Sequence, residues 1–237
     1  MKHLSLCIVA AALGLLATAF VTSVAAPAKQ WESDRPAFYG VWQIEKPAAQ
    51  LRASDGTEPP LLPAAKAAYE KTRTLKATGD TSWDPVYQCQ MHGVPRLMYE
   101  PMPFQFLQTP KQVLMMFQWN REFRMIDMNI AHSEPAGPQF QGQSVGQWEG
   151  DTLVVDSNAF DASTFLDANG MPHSEDLHLI ERYQVIDDGR VLLGQFTIED
   201  AKTFSRSWQT SVRFRKLPGV DIAEDTCVER LKLKQYE

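Results

Sequence analysis

Three residues stand in settings suited to moving a proton: His173, Glu181 and His132. His173 lies in Asn169-Gly170-Met171-Pro172-His173-Ser174-Glu175-Asp176, a loop pattern that ends where an apolar run begins. Reactive side chains are often held on loops at the ends of a rigid scaffold. An imidazole beside acidic residues suits a general base near neutral pH. The competing reading is a histidine bonded to backbone for structural reasons. Glu181 alternates in register with Leu177, Leu179 and Tyr183, so the four share one face of an extended strand. If that face is interior, the carboxyl stands among apolar groups and suits acid–base work. An ion pair with Arg124 or Arg96 is the equal alternative. Arg124 and Arg182 are candidates to hold an oxyanion, and Tyr183 and Tyr99 to donate a hydrogen bond to a ligand oxygen.

Other constellations carry less. Ser174 next to His173 lacks the Gly-x-Ser-x-Gly setting of a nucleophile elbow. Cys89-Gln90-Met91-His92 has metal-like spacing, but Cys89 is better spent in a disulfide. His132, His173 and His178 form no compact ligand motif, so no metal and no cofactor are expected. Asp151 and Asp156 are explained by a turn and a strand end. His173 and Glu181 are eight residues apart, which is about 26 Å of straight strand at roughly 3.3 Å per residue. They serve one site only if the loop folds back or a substrate lies between them, and His132 is then the nearer partner for His173.

These side chains need a scaffold, and the patterning predicts one made of strands. Runs at 38–44, 104–108, 113–117, 123–128, 143–148, 152–156, 177–186, 191–198 and 208–215 read as strands. Glu149-Gly150-Asp151 and Asp188-Gly189 between apolar runs are hairpin signals. Trp208, Thr210, Val212 and Phe214 alternate with polar residues. Val113 to Phe117 is apolar on both faces, which predicts an interior face and a second face under a loop or helix. Pro63 is placed to start a helix from Ala64 to about Lys76, outside the sheet or over one mouth. A long meander of this kind closes on itself to remove exposed edges. The expected fold is mainly β: an antiparallel up-and-down barrel with one short helix, in a single domain over 26–237.

Two likenesses sharpen that reading. Gly40-Val41-Trp42 on the first strand, with Arg213 and Arg215 on the last, resembles the calycin superfamily and its lipocalin branch. There a Gly-x-Trp sits at the barrel base under a late Arg, a cation over an aromatic face. The resemblance implies that Trp42 is buried near Arg213 or Arg215. A stronger likeness runs through Asp84-Pro85, Cys89, Gly93-Val94-Pro95-Arg96, Ser144-Val145-Gly146-Gln147-Trp148-Glu149-Gly150-Asp151-Thr152-Leu153-Val154-Val155-Asp156, Pro172-His173-Ser174, Leu177 and Glu181-Arg182-Tyr183. This combination resembles a widespread family of exported bacterial proteins and covers roughly 38–215. The likeness implies no particular reaction. Members often carry an Asp-Gly-Arg turn and then His-Pro after the strand that holds Arg124; here the chain reads Met128-Asn129-Ile130-Ala131-His132-Ser133.

The start of the chain predicts export. Lys2, an uncharged apolar run from Leu4 to Val21 and Ser23-Val24-Ala25 are the three parts of a secretory signal, predicted over 1–25. Removing it takes Lys2 from the 23 basic residues and leaves 22 against 29 acidic ones, so no nucleic-acid footprint is expected. It also removes Cys7, leaving Cys89 and Cys227, which an oxidising compartment would join. No stable membrane insertion is expected after cleavage. The expected function is a periplasmic or secreted, cofactor-independent enzyme acting by proton transfer on a small hydrophobic or aromatic molecule, of lyase, isomerase or hydratase type. The alternative is a periplasmic binding or carrier protein on the same barrel.

Overall fold

The computed structural model of the protein describes residues 38–134 and 137–233; the signal segment predicted for 1–25 lies outside them. Among the described residues, nine strands close into one barrel in chain order. They are β1 (Gly40–Ile44), β2 (Phe104–Gln108), β3 (Gln112–Phe117), β4 (Phe123–Met128), β5 (Gln143–Glu149), β6 (Thr152–Asn158), β7 (His178–Ile186), β8 (Val191–Glu199) and β9 (Trp208–Leu217). The last strand returns to pair antiparallel with the first, Ile44 opposite Phe214. All neighbours are antiparallel except β4 and β5, which run parallel and break the strict up-and-down pattern. The segment between β4 and β5 therefore crosses over instead of forming a hairpin.

The turns follow from their residues. Asp187, Asp188 and Gly189 between β7 and β8 all have positive φ, at 52°, 54° and 83°. Asp tolerates that region better than most residues and Gly does so freely. Alternation then decides what faces inward. Phe104, Phe106, Met115, Phe117, Tyr183, Phe196 and Phe214 are buried and occupy the lumen. Their rings meet edge-on or stacked: Phe104 is 5.2 Å from Phe117 and 5.0 Å from Phe214, and Tyr183 is 6.0 Å from both Phe106 and Phe196. A barrel of this size is filled by its own side chains where aromatic residues face in.

Barrel closure departs from the lipocalin expectation in one detail. Trp42 is fully buried, and its indole N–H donates to the Phe38 carbonyl at 2.8 Å. The cation over its ring is the Lys216 ammonium, 5.2 Å from the centroid, and not Arg213 or Arg215. Parity explains the correction: Trp208, Thr210, Val212 and Phe214 point inward, so Lys216 follows them and the two arginines point outward. Arg213 pairs outside with Glu45 and Asp187, and Arg215 donates to Gln43. Gly40 is required beneath this lysine. Its φ is +114°, and a Cβ there would lie 2.8 Å from Lys216 Cε.

Helix α1 (Pro63–Ala77) starts at the proline, as its fixed φ favours. It lies against the loop before His173. Tyr69 donates to Asp167 at 2.6 Å, Thr72 to the Asn169 carbonyl at 2.8 Å, and Lys76 to the Ala168 carbonyl at 2.6 Å. A second short helix, α2 (Cys227–Lys232), is additional to the single helix expected. Cys89 and Cys227 are joined in a disulfide that spans 138 positions of sequence. Such a bond belongs to an oxidising compartment. No helix among the described residues is long and apolar enough to cross a membrane.

Candidate functional site

The parallel junction of β4 and β5 is short: Asp127 pairs with Val145 and Met128 with Gly146. Toward the start of both strands the wall parts, and a cleft of about 540 Å³ opens there. Phe123, Met125, Pro138 and Phe140 supply apolar surface, while Gln139, Gln143, Asp127 and Asp161 supply polar edges. Arg124 and Ser144, both nearly buried, line its inner side.

Arg124 belongs to a network that fills this part of the lumen. It donates to Glu181 Oε2 through Nη1 at 2.8 Å and to Glu181 Oε1 through Nη2. Nη2 also reaches Ser144 Oγ at 2.9 Å and Ser157 Oγ at 2.8 Å. Tyr183 donates to Glu181 Oε2 at 2.5 Å. The register makes this assembly possible: Val155 faces Glu181, Ser144 faces Ser157, and Met115 faces Arg124. Burial alone would lower the Arg124 pKa, but the Glu181 carboxylate beside it more than offsets that, and the net shift is upward. Burial, reinforced by the Glu181 charge, holds Tyr183 far above the ordinary phenol range, so it remains a neutral donor. Both Glu181 oxygens are thus occupied by donors of the protein itself.

A second cluster lies on the outer wall at the ends of β6, β7 and β8. His132 Nε2 is 2.9 Å and His178 Nε2 3.0 Å from the same oxygen, Asp156 Oδ1. The other ring nitrogen of His178 is 3.0 Å from Glu199 Oε2. The other nitrogen of His132 is 3.3 Å from Gln143 Oε1, and the Gln143 amide N–H donates to Ser133 Oγ at 2.7 Å. Gln143 therefore touches both this cluster and the seam cleft. Among the described residues, no group of three or more His, Cys, Asp or Glu side chains is placed to hold a metal ion.

His173 stands apart from both clusters. It is buried, with Nε2 2.8 Å from Thr164 Oγ1 and Nδ1 2.9 Å from the Ser174 carbonyl. The carbonyl fixes the proton on Nδ1, which leaves Nε2 an acceptor facing the Thr164 hydroxyl; that hydroxyl also lies 3.1 Å from the Asp161 carbonyl. Burial pushes the His173 pKa down, with the Ser174 carbonyl opposing, so the ring is neutral near neutral pH. Ser174 is tied to Asp200 through its amide N–H and hydroxyl.

The residues nominated from sequence thus occupy separate places. Glu181, Arg124 and Tyr183 meet in the lumen, while His132 lies outside the wall and His173 is packed in a loop. Arg182 is on the outer face, paired with Glu149 at 2.7 Å. Tyr99 is buried with its hydroxyl 3.0 Å from Thr210 Oγ1, and burial lifts its pKa to about 12. Three groupings were missed. Asp156 is the hub of two histidines, not merely a strand end. Ser144 and Ser157 complete the arginine network; their parity with Gly146 and Val155 was the signal available. A buried chain runs from Asp84 through a bidentate pair with Arg96 to Glu100, His92 and Glu122. Burial opposes charge on His92, but its bonds to Glu100 and Glu122 win and raise its pKa.

Fold and geometry define a closed, mostly antiparallel barrel with a disulfide, a charged interior network and a cleft in its wall. No known protein-family model matches the chain. No curated protein matches it either.

Proposed function

We propose that this is a periplasmic or secreted binding protein for a small molecule with an apolar or aromatic body and a polar head, held in the seam cleft. One observation carries the reading: the wall parts beside the two-pair β4–β5 junction, and the resulting cleft combines aromatic surface with Gln139, Gln143 and Ser144. Small-molecule sites typically join a concave apolar surface to a few placed polar groups. The separation of His173, His132 and Glu181 favours binding over concerted proton transfer. Export in the manner of the bacterial family resembled in sequence agrees with the disulfide. The test is thermal-shift and calorimetric screening of the mature protein against aromatic acids and short fatty acids. A hit should weaken at least about tenfold in Phe140→Ala, since a buried aromatic side chain contributes on the order of 1.5–3 kcal/mol. Unchanged affinity in that variant places the ligand elsewhere.

A second reading, an enzyme on the same cleft, has its own support. His132 is bonded to Gln143, which lines the cleft, so an imidazole abuts the site. Recovering bound ligand with altered mass distinguishes the two readings. Turnover should then fall about 10²-fold or more in His132→Ala if that ring is the general base.

A further inference from the structure

The His132–Asp156–His178–Glu199 cluster takes no part in the binding reading, and its geometry poses a problem of protons. His178 has a carboxylate oxygen 3.0 Å from each ring nitrogen, Asp156 on one side and Glu199 on the other. A neutral imidazole has one N–H and one lone pair, so it would leave one of those contacts as lone pair against carboxylate. Only the imidazolium, a donor at both nitrogens, satisfies both. His132 then meets the same Asp156 oxygen from the far side, while its remaining nitrogen meets the Gln143 side-chain carbonyl. The Gln143 amide N–H donates to Ser133, which leaves its carbonyl oxygen toward His132, so His132 too has an acceptor at each ring nitrogen.

The cluster also joins separate parts of the chain. Asp156 is on β6, His178 opens β7 and Glu199 closes β8. His132 and Ser133 belong to the crossover after β4. The first part of the crossover is therefore fastened to the barrel wall through Asp156 and Gln143, and its later part by backbone bonds at Gln139.

We propose that His178 is an imidazolium shared between Asp156 and Glu199 at neutral pH, and that this proton sets the strength with which His132 fastens the β4–β5 crossover to the wall. The charged His178 orients Asp156 by donating to it, and Asp156 in turn receives the His132 N–H. When His178 loses its proton, its Nε2 or Nδ1 faces a carboxylate without a hydrogen, the cluster rearranges, and the 130–134 stretch loosens, while backbone bonds at Asn129 and Gln139 hold the crossover on either side.

Electrostatics agree in sign. Burial works against charge on His178, but its bonds to Glu199 and Asp156 prevail and raise its pKa. Burial likewise works against the Asp156 carboxylate, and its bonds from His132 and His178 lower its pKa. A raised histidine contributes fully below the ordinary value of about 6.5 and loses its contribution as pH rises through the folded value. A lowered aspartate contributes above about 3.9 and loses its contribution as pH falls through its own folded value. The fastening is therefore strongest in mildly acidic solution and weakens on the alkaline side.

The experiment is a proton NMR titration of the histidine rings in the mature, oxidised protein, with ¹³Cα order parameters for residues 130–134 across the same pH range. His178 should titrate above about 6.5 and return toward that value in Glu199→Gln. The order parameters at 130–134 should fall from about 0.85 toward about 0.6 or below as His178 deprotonates, and should lose that pH dependence in His178→Gln. Carbon relaxation is read without the amide protons, which no backbone bond among the described residues protects at 130–134. A His178 titration at or below the ordinary value overturns the shared proton. A raised titration with pH-independent order parameters at 130–134 overturns the fastening. Neither measurement needs a ligand, so a failed cleft reading leaves this test intact.

Discussion

Replacing Arg124 by Ala would leave Glu181, which has no exposed surface, as a buried carboxylate deprived of its main partner. Breaking one side of such a pair costs about 3–5 kcal/mol, whereas replacing the whole group with apolar residues of similar volume is often neutral or stabilising. Arg124→Ala should therefore lower unfolding free energy by that amount in a denaturant titration. The combination Arg124→Met, Glu181→Leu and Tyr183→Phe should recover most of it. A single variant that loses less than about 1 kcal/mol would show that the network does not hold the lumen together. Histidines set a second residue-scale expectation. His92, with its raised pKa, contributes stability below about pH 6.5 that is lost as pH rises through its folded value. His173, with its lowered pKa, contributes above about pH 6.5 and loses that contribution as pH falls through its folded value. In unfolding free energies measured from pH 5 to 8.5, His92→Gln should flatten the alkaline limb and His173→Gln the acid limb. The reverse assignment would mean that the two bonding patterns have been misread.

At the scale of elements, the disulfide links the 3₁₀ turn ending at Gln88 to α2. Around it the C-terminal segment docks on the turn before β4. The Asn120 amide N–H donates to Asp225 at 2.6 Å, the Cys227 amide N–H donates to Asn120 Oδ1 at 2.9 Å, and the Arg230 guanidinium lies 4.0 Å over the Trp119 ring. α2 has six residues and lies outside the sheet, so it depends on the covalent tie more than the barrel does. Free-thiol titration of the native protein isolated without reductant should find no reactive thiol at Cys89 or Cys227. Reduction should lower stability by up to about 5 kcal/mol in the chain-entropy account of so long a loop. Exchange at α2 should rise first, while β7 and β8, which pair along nine positions, stay protected. Simultaneous loss of protection in α2 and β8 would show that the segment is integral to the barrel core.

For the molecule as a whole, the filled lumen decides where a ligand can go. Aromatic rings and the Arg124 network occupy the inward positions of the barrel's middle strands, so concave surface that needs no repacking of the core lies on the wall: the seam cleft, and a cleft of about 680 Å³ lined by Leu114, Met116, Phe117 and Ile222. That is why the screening ligands are small: an aromatic acid fits about 540 Å³, within the range of roughly 300–1,000 Å³ usual for small-molecule sites. An acidic chain with 29 carboxylates against 23 basic residues repels anions at long range. Binding of an acidic ligand should therefore strengthen as ionic strength rises toward 0.15 M, where charges are screened beyond about 8 Å. Weakening with salt would point instead to a locally positive entrance.

Much of this protein can be read from period and punctuation. Alternation at Trp208–Phe214, the Asp-Gly and Glu-Gly-Asp turns and the proline at 63 depend on neighbours within a few residues, and the structure keeps those elements with boundaries moved by one or two positions. Loss of the predicted signal would leave two cysteines and one pairing to form, so that link too was legible. Parity alone placed Glu181 with Tyr183 and opened the possibility of Arg124 as its partner. What alternation could not choose was the partner across the barrel: Arg124 and Glu181 are 57 positions apart, and only the closed register sets one against the other. The parallel β4–β5 junction was hidden for the same reason, since strand direction is a property of the crossover's path and not of either strand. His132, Asp156 and His178 each looked ordinary in its own segment. Their chemistry arises because three backbone segments, joined by hydrogen bonds formed only on folding, bring two ring nitrogens to one carboxylate oxygen.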